Sequence, residues 1–316
     1  MKSVVTGGAG FIGSNLVDAL VARGDDVHVI DDFSTGRTEF LEASPATIHR
    51  IDLVDEASDL AGVFAGASTV FHLAANADVR FGMSDTRRDL QQNILATMRV
   101  AEAAAKAGVE EIVFSSTGAA YGDAVQHPTP ETEPFPIQTS LYGMSKAAAE
   151  GILSSYAANE IFRVTAFRFV SVLGQRYMHG HVIDFVRQLV RDPSRLTVLG
   201  NGTQRKSYMH VDDCVNALLT LRSNSGFEVF NLGVDDYCTV RNSVEWICAA
   251  MGVEPEIAFG TEDRGWVGDN PFTWLDVSKA RERGWEARLG IQESIELTVN
   301  WLVANQWALD VGDRRH

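Results

Sequence analysis

A doubly wound α/β fold, with a parallel sheet in the first half and a smaller mixed α/β lobe towards the C-terminus, is the class this sequence predicts. Three observations predict it. The chain opens with the strand-like run SVVTG, which passes directly into GGAGFIG. Short β-branched runs then alternate with helical stretches through the first half, the rhythm of successive βαβ units. Finally, Tyr142 and Lys146 stand four residues apart, on one face of a predicted helix.

The elements follow in order. Gly7, Gly10 and Gly13 come after a strand and before an amphipathic stretch from Phe11 to Arg23, the setting of a Rossmann-like phosphate-binding turn. Backbone amides there, including those of Phe11 and Ile12, can meet a pyrophosphate at the helix N-terminus. The second strand, VHVID, ends on Asp31, eighteen residues after Gly13, with Asp32 beside it. A carboxylate at that place accepts hydrogen bonds from the adenosine ribose and repels a 2′-phosphate, favouring NAD over NADP. Arg37 argues the other way, and Asp31 also suits a plain turn. TIHRI reads as a third strand, followed by Asp52 and Leu53, candidates for adenine contact or simply a strand end. TVFHLA and EIVFSS follow, with a helix from Thr86 to Gly108 between them. The Pro-rich run from His127 to Pro136 reads as an irregular loop leading into the Tyr142 helix, after which FRVTAFRF is the next strand.

Beyond Val170 the rhythm breaks. A helix from His181, the strand LTVL, a Gly-rich turn, YMHV, a helix near Asp212, the strand FEVFNLG and helices near Val240 and Ile291 make a mixed pattern. Residues 1–169 read as the dinucleotide-binding domain and 170–316 as mainly a substrate lobe, with segments near 207–233 returning to the first sheet.

With 316 residues, 45% hydrophobic and 22% charged, the chain can bury a sizeable core. A formal net charge of -15 opposes nucleic acid and anionic membrane surfaces as partners. An anionic ligand must therefore be met by helix amides or individual Arg and Lys side chains. No apolar run reaches membrane-spanning length and Met1 leads straight into a strand, so a soluble, cytoplasmic protein is expected. Cys214, Cys238 and Cys248 lack metal-ligand spacing and suit buried positions in a reducing compartment. His179 and His181 flank Gly180 without a convincing third ligand, so no metal is expected. Trp246, Trp266, Trp274, Trp285, Trp301 and Trp307 are expected to be mostly core anchors.

Alone, Tyr142 is an ordinary packed helix residue and Lys146 a solvated charge. Together, behind a nucleotide turn, they form a proton-transfer pair, because an ammonium near a phenol favours the phenolate and lowers the tyrosine pKa, while NAD+ adds positive charge. Tyr142 is then the general base for a hydroxyl whose carbon gives up hydride.

The spacing GxxGxxG at Gly7 to Gly13, combined with YxxxK at Tyr142 to Lys146, resembles the extended short-chain dehydrogenase/reductases and within them the NAD-dependent epimerase/dehydratase family. The likeness covers nearly the whole chain. It includes HLAA at His72 to Ala75, Asn93, Thr117 four residues before Tyr121-Gly122, Arg168, the run from Gly200 to Asp213, Asn231-Leu232-Gly233, and Arg264 near Gly268-Asp269. The resemblance implies that Leu73, Ala74, Ala75 and Asn93 line the NAD site, that Lys146 holds the nicotinamide ribose, and that Thr117 hydrogen-bonds the reacting hydroxyl. A strand-end cap is the alternative role for Thr117. The resemblance also implies that Arg264 and Lys206 bind a diphosphate. The family's usual residue at Lys206 is Arg, with Arg205 as a compensating cation. Ser171 stands where the family usually carries a substrate-contacting Asn, and Leu141 replaces a frequent Pro.

Gly118 and Ala119 occupy the two positions after Thr117 where the family's dehydratases place carboxylates, and neither can transfer a proton. The implied activity is a nucleotide-sugar 4-epimerase with retained NAD, acting on a UDP-hexose or UDP-hexuronic acid. For the Ala-rich faces of the helices from Thr86 and Tyr142 the resemblance implies a homodimer interface, and burial of both faces in the core is the alternative. An NAD-dependent nucleotide-sugar reductase or dehydrogenase, and an NAD-binding regulatory protein without catalysis, are the alternatives.

Overall fold

A computed structural model describes residues 1–77, 85–134, 137–265, 270 and 272–310. Pro136, Trp266, Gly268 and Asp269, singled out above, lie outside the described residues.

The first half consists of β1 (Lys2–Thr6), α1 (Phe11–Ala22), β2 (Asp26–Asp31), β3 (Thr47–Arg50), α2 (Leu60–Phe64), β4 (Thr69–His72), α3 (Thr86–Asp89), a π-helical turn (Leu90–Leu95), α4 (Ala96–Ala107), β5 (Glu111–Thr117), α5 (Leu141–Ala158) and β6 (Arg163–Phe169). The second half consists of β7 (Ser171–Leu173), α6 (His181–Arg191), β8 (Arg195–Val198), β9 (Arg205–Lys206), β10 (Tyr208–His210), α7 (Val211–Thr220), β11 (Phe227–Leu232), β12 (Cys238–Thr239), α8 (Val240–Met251), β13 (Glu256–Phe259), β14 (Phe272–Thr273), α9 (Ser278–Glu282) and α10 (Ile291–Ala304).

Seven parallel strands form one sheet in the order β11-β6-β5-β4-β1-β2-β3. The order reverses at β1/β4, which opens a crevice at the carboxyl ends of those strands. Strand alternation explains why the sheet is buried on both faces. Val5, Val29, Phe71, Val113 and Phe167 pack beneath α1 and α7, while Val4, Ile30, Val70, Ile112 and Val164 pack beneath α2, α4 and α5. β11 pairs in register with β6, from Phe227 opposite Val164 to Leu232 opposite Phe169. A separate core joins α6, α8 and α10 through Val182, Val186, Ile247, Ile295 and Leu302.

The three cysteines are buried and free. Of the five described tryptophans most anchor a core, Trp285 within the one beneath α1 and α7, and Trp246 and Trp301 against the one joining α6, α8 and α10. Only Trp285 of the five is fully buried; Trp246, Trp274 and Trp301 are partly covered, and Trp307 is exposed. Among the described residues no helix is long and apolar enough to cross a membrane.

Candidate active site

The turn after β1 is built for close backbone approach. Gly7 has φ +71°, and a Cβ there would lie 2.6 Å from the amide nitrogen of Ala74. A Cβ on Gly13 would collide with the Gly7 carbonyl, so α1 can begin this close to β1 only with glycine at that position. Gly10 caps α1, placing Phe11 and Ile12 in its first turn, where amides point outward towards an anion.

Asp31, at the end of β2, accepts from the Ala9 amide at 2.9 Å and the Phe33 amide at 2.9 Å. Burial pushes its carboxyl above the usual range, against the pull of those two amides. Each carboxylate oxygen retains a second acceptor direction for a ribose hydroxyl. Asp32 and Asp52 are turn residues, accepting from the Ser34 amide at 2.8 Å and the Val54 amide at 3.0 Å; Leu53 is buried.

The HLAA segment leaves β4 along the same crevice. His72 is buried between two hydroxyls, with Nδ1 2.8 Å from Thr6 Oγ1 and Nε2 2.9 Å from Thr97 Oγ1. The Leu73 amide donates to the Thr6 carbonyl and the Ala74 amide to Thr6 Oγ1, so Leu73, Ala74 and Ala75 run directly beside the glycine turn. Asn93 sits in the π-helical turn and is committed to protein partners. Its Oδ1 accepts from the Asn76 amide at 2.8 Å and its Nδ2 donates to Ser145 Oγ at 2.8 Å. Ser145 in turn donates to the Tyr142 carbonyl, so Asn93 holds the first turn of α5.

That first turn carries Tyr142, with Lys146 one turn on. Ser140 caps α5 by accepting from the Gly143 amide at 3.0 Å. A side chain on Gly143 would strike the Ala119 carbonyl, so glycine lets α5 lie against the turn after β5. Tyr142 thereby comes to lie beside Thr117, whose hydroxyl favours the phenolate. Thr117 Oγ1 accepts from the Ala119 amide at 3.1 Å, which is the strand-end cap. Lys146 is 2% exposed, with its ammonium 4.4 Å from the centre of the Phe114 ring.

The expected lowering of the tyrosine pKa needs correction. Burial pushes the Tyr142 phenol up to about 12, the Thr117 hydrogen bond opposing and the Asp89 carboxylate adding to the rise. Burial also brings the Lys146 ammonium down to about 7, although Glu150 favours its charged form. Desolvation outweighs pairing in this site.

The substrate-side residues are spread more widely. Ser171 is exposed at the start of β7, opposite Tyr208 in register. Arg205 and Lys206 are neighbours on a strand and project to opposite sides. The Arg205 guanidinium lies 3.9 Å from the Phe272 ring centre and 5.7 Å from that of Tyr237, whereas the Lys206 ammonium donates to the Asn270 carbonyl. The structure therefore does not bring Arg205 to the side of Lys206 as a compensating cation. Arg264 is exposed, its carbonyl packed against Gly200. His181 Nε2 is 2.7 Å from Ser243 Oγ, and burial lowers its pKa to about 4.

Several site residues escaped the sequence reading: Asn76, Gly143, Ser145 and Glu150. Ser145 and Glu150 fall at helical spacing from Tyr142 and Lys146, which is the signal that could have found them.

Residues 3–233 match the model of the NAD dependent epimerase/dehydratase family, over most of the chain and across the whole glycine turn and YxxxK site. The chain belongs to that family. Among this family enzyme's relatives, the UDP-glucose 4-epimerase of Mycolicibacterium smegmatis is 33% identical over 95% of this chain and 98% of its own. UDP-glucuronic acid decarboxylase 1 of Arabidopsis thaliana is 31% identical over 95% of this chain and 69% of its own. The UDP-glucose 4-epimerase of Thermotoga maritima, solved with UDP-glucose, superposes with a TM-score of 0.88 at 33% identity, covering 97% of this chain and 100% of the other. The UDP-glucose 4-epimerase of Thermus thermophilus, solved with NAD, gives 0.83 at 30% identity over 96% and 99%. This family enzyme is NAD-dependent, and the close-approach glycines with Asp31 at the end of β2 fit that cofactor.

Proposed function

We propose that this enzyme is a nucleotide-sugar 4-epimerase: it oxidises C4 of a UDP-hexose or UDP-hexuronic acid to a transient ketone and reduces it again on the opposite face, with NAD retained. One observation carries the reading. Tyr142 lies beside Thr117 and one helical turn before Lys146, and the two residues that follow Thr117 are Gly118 and Ala119, which have no proton to give or take. Such a site is equipped for proton transfer at one hydroxyl and not for elimination of water.

Tyr142 removes the C4 hydroxyl proton and later returns it. Thr117 holds that oxygen in line, and Lys146 stabilises the phenolate and grips the nicotinamide ribose. NAD, when bound, supplies the hydride acceptor and donor and adds positive charge near the phenol. Lys206 and Arg264 are the cations for the diphosphate, with Ser171 on the sugar side. A cytoplasmic homodimer goes with this reading, its interface formed by the helices of residues 86–107 and 141–158, where Leu90 and Leu95 are 52% and 43% exposed.

The test is an NMR assay of the NAD-loaded protein with UDP-glucose, UDP-galactose and UDP-glucuronic acid. The expected result is the 4-epimer of at least one substrate without accumulation of NADH. Carbon dioxide and a UDP-pentose from UDP-glucuronic acid would make it a decarboxylase instead. A stoichiometric change at the nicotinamide absorbance band would make it a reductase or dehydrogenase, and NAD binding with no turnover across the panel would favour a regulatory protein. Tyr142→Phe should cut turnover by roughly 10²- to 10⁴-fold while NAD stays bound.

A further inference from the structure

α5 places Tyr142, Lys146 and Glu150 at successive four-residue steps on one helix face, and the last two are 2% and 6% exposed. Glu150 is gripped from two strands. Arg168 on β6 donates through Nε to Oε1 at 2.9 Å and through Nη2 to Oε2 at 2.6 Å, and Ser116 on β5 donates to Oε1. Arg168 is itself held over the Tyr121 ring at 4.5 Å, and the Tyr121 hydroxyl donates to Asn231 Oδ1 at 2.7 Å. A bidentate pair of this kind has defined geometry.

We propose that Glu150 is a positioning residue for the site: clamped by Arg168 and Ser116, its carboxylate acts through Lys146, holding the ammonium charged and in place one turn from Tyr142. The inference rests on the reading of Tyr142 and Lys146 as the proton-transfer pair.

The charge arrangement explains the need. Glu150 is paired directly with Arg168 and also acts on the buried Lys146 ammonium, favouring its charged form. The groups facing the ammonium are the Phe114 ring from β5, His72 from β4 and Glu150 from α5, with Ser116 from β5 and Arg168 from β6 bound to Glu150; Asp89 acts on Tyr142 from α3. His72 is neutral above pH 3 or so, and Glu150 is the carboxylate that favours the charged lysine. Ser116 and Arg168 fix its direction, since a free carboxylate on a helix would rotate to bond elsewhere.

The test is an NMR titration of the NAD-loaded full chain carrying lysine labelled with ¹³C at Cε, with the Lys146 resonance identified from Lys146→Arg. Glu150→Gln should lower the Lys146 midpoint by about one pH unit or more, and Glu150→Asp should recover part of that shift. Ser116→Ala, which preserves every charge, should lower it by less. Turnover of Glu150→Gln should fall about tenfold or more at neutral pH, with KM changed much less. An unmoved midpoint in Glu150→Gln, or in Ser116→Ala where the first variant does not fold, overturns the proposal. Tyr142→Phe with full turnover would sink the underlying reading separately, and the midpoint shift would still report whether Glu150 acts on Lys146.

Discussion

His72 is the residue whose chemistry is most completely decided by its surroundings. Both ring nitrogens meet threonine hydroxyls in the interior, and burial, aided by the Lys146 charge, holds its pKa down at about 3. The unfolded chain binds a proton near pH 6.5, and the folded chain does not until far lower, so the neutral ring stabilises the fold above pH 6.5. That stability drains away as pH falls from 6.5 towards 3. Between pH 7 and pH 5 the loss from this one ring is about 2 kcal/mol. Urea unfolding at the two pH values should show that drop in the parent and a smaller one in His72→Gln. Asp31 has a double duty of another sort. Its carboxylate braces the Ala9 and Phe33 amides and, in the proposed role, receives the ribose, so Asp31→Ala should cost about 1–3 kcal/mol of stability and also weaken NAD retention. Thermal melts with and without NAD would separate the two effects.

At the scale of elements, α5 is docked by a missing side chain. Gly143→Ala should improve intrinsic helix propensity by roughly 1 kcal/mol and still lower turnover, because the new methyl meets the Ala119 carbonyl and pushes Tyr142 away from Thr117. A displacement of some tenths of an ångström should cost about tenfold or more in kcat, with helical content unchanged by circular dichroism. The elements themselves were largely legible. α1 announces itself by glycines and apolar spacing, and the strands by β-branched runs. The π-helical turn at Leu90–Leu95 was not legible, since one extra residue per turn leaves no mark in composition. Glu150 closes the run AAAE and looks like a solvated helix charge. Only the fold brings Arg168, eighteen residues on, against it. Arg205 and Lys206 read as one basic pair along the chain, but strand alternation parts them. Within the protein alone burial raises the Tyr142 phenol, an effect that leaves no mark in a sequence, whereas charge pairing does.

The whole molecule should be a dimer through the helices of residues 86–107 and 141–158. Leu95→Glu, on an exposed position of that face, should take the light-scattering mass from twice 34.5 kDa towards 34.5 kDa. An unchanged dimer mass would point to another interface. The order of the large sheet bears on how the protein is made. β6 ends at Phe169, but β11, which covers its open edge, is complete only at Leu232. At a synthesis rate of roughly 5–20 residues per second, the ribosome leaves that edge unpaired for about 3–13 seconds. During this interval the nascent chain presents a row of free amides and carbonyls to its neighbours. A chain stopped near residue 200 should therefore be captured by chaperones or aggregate, and one extended past Leu232 should escape.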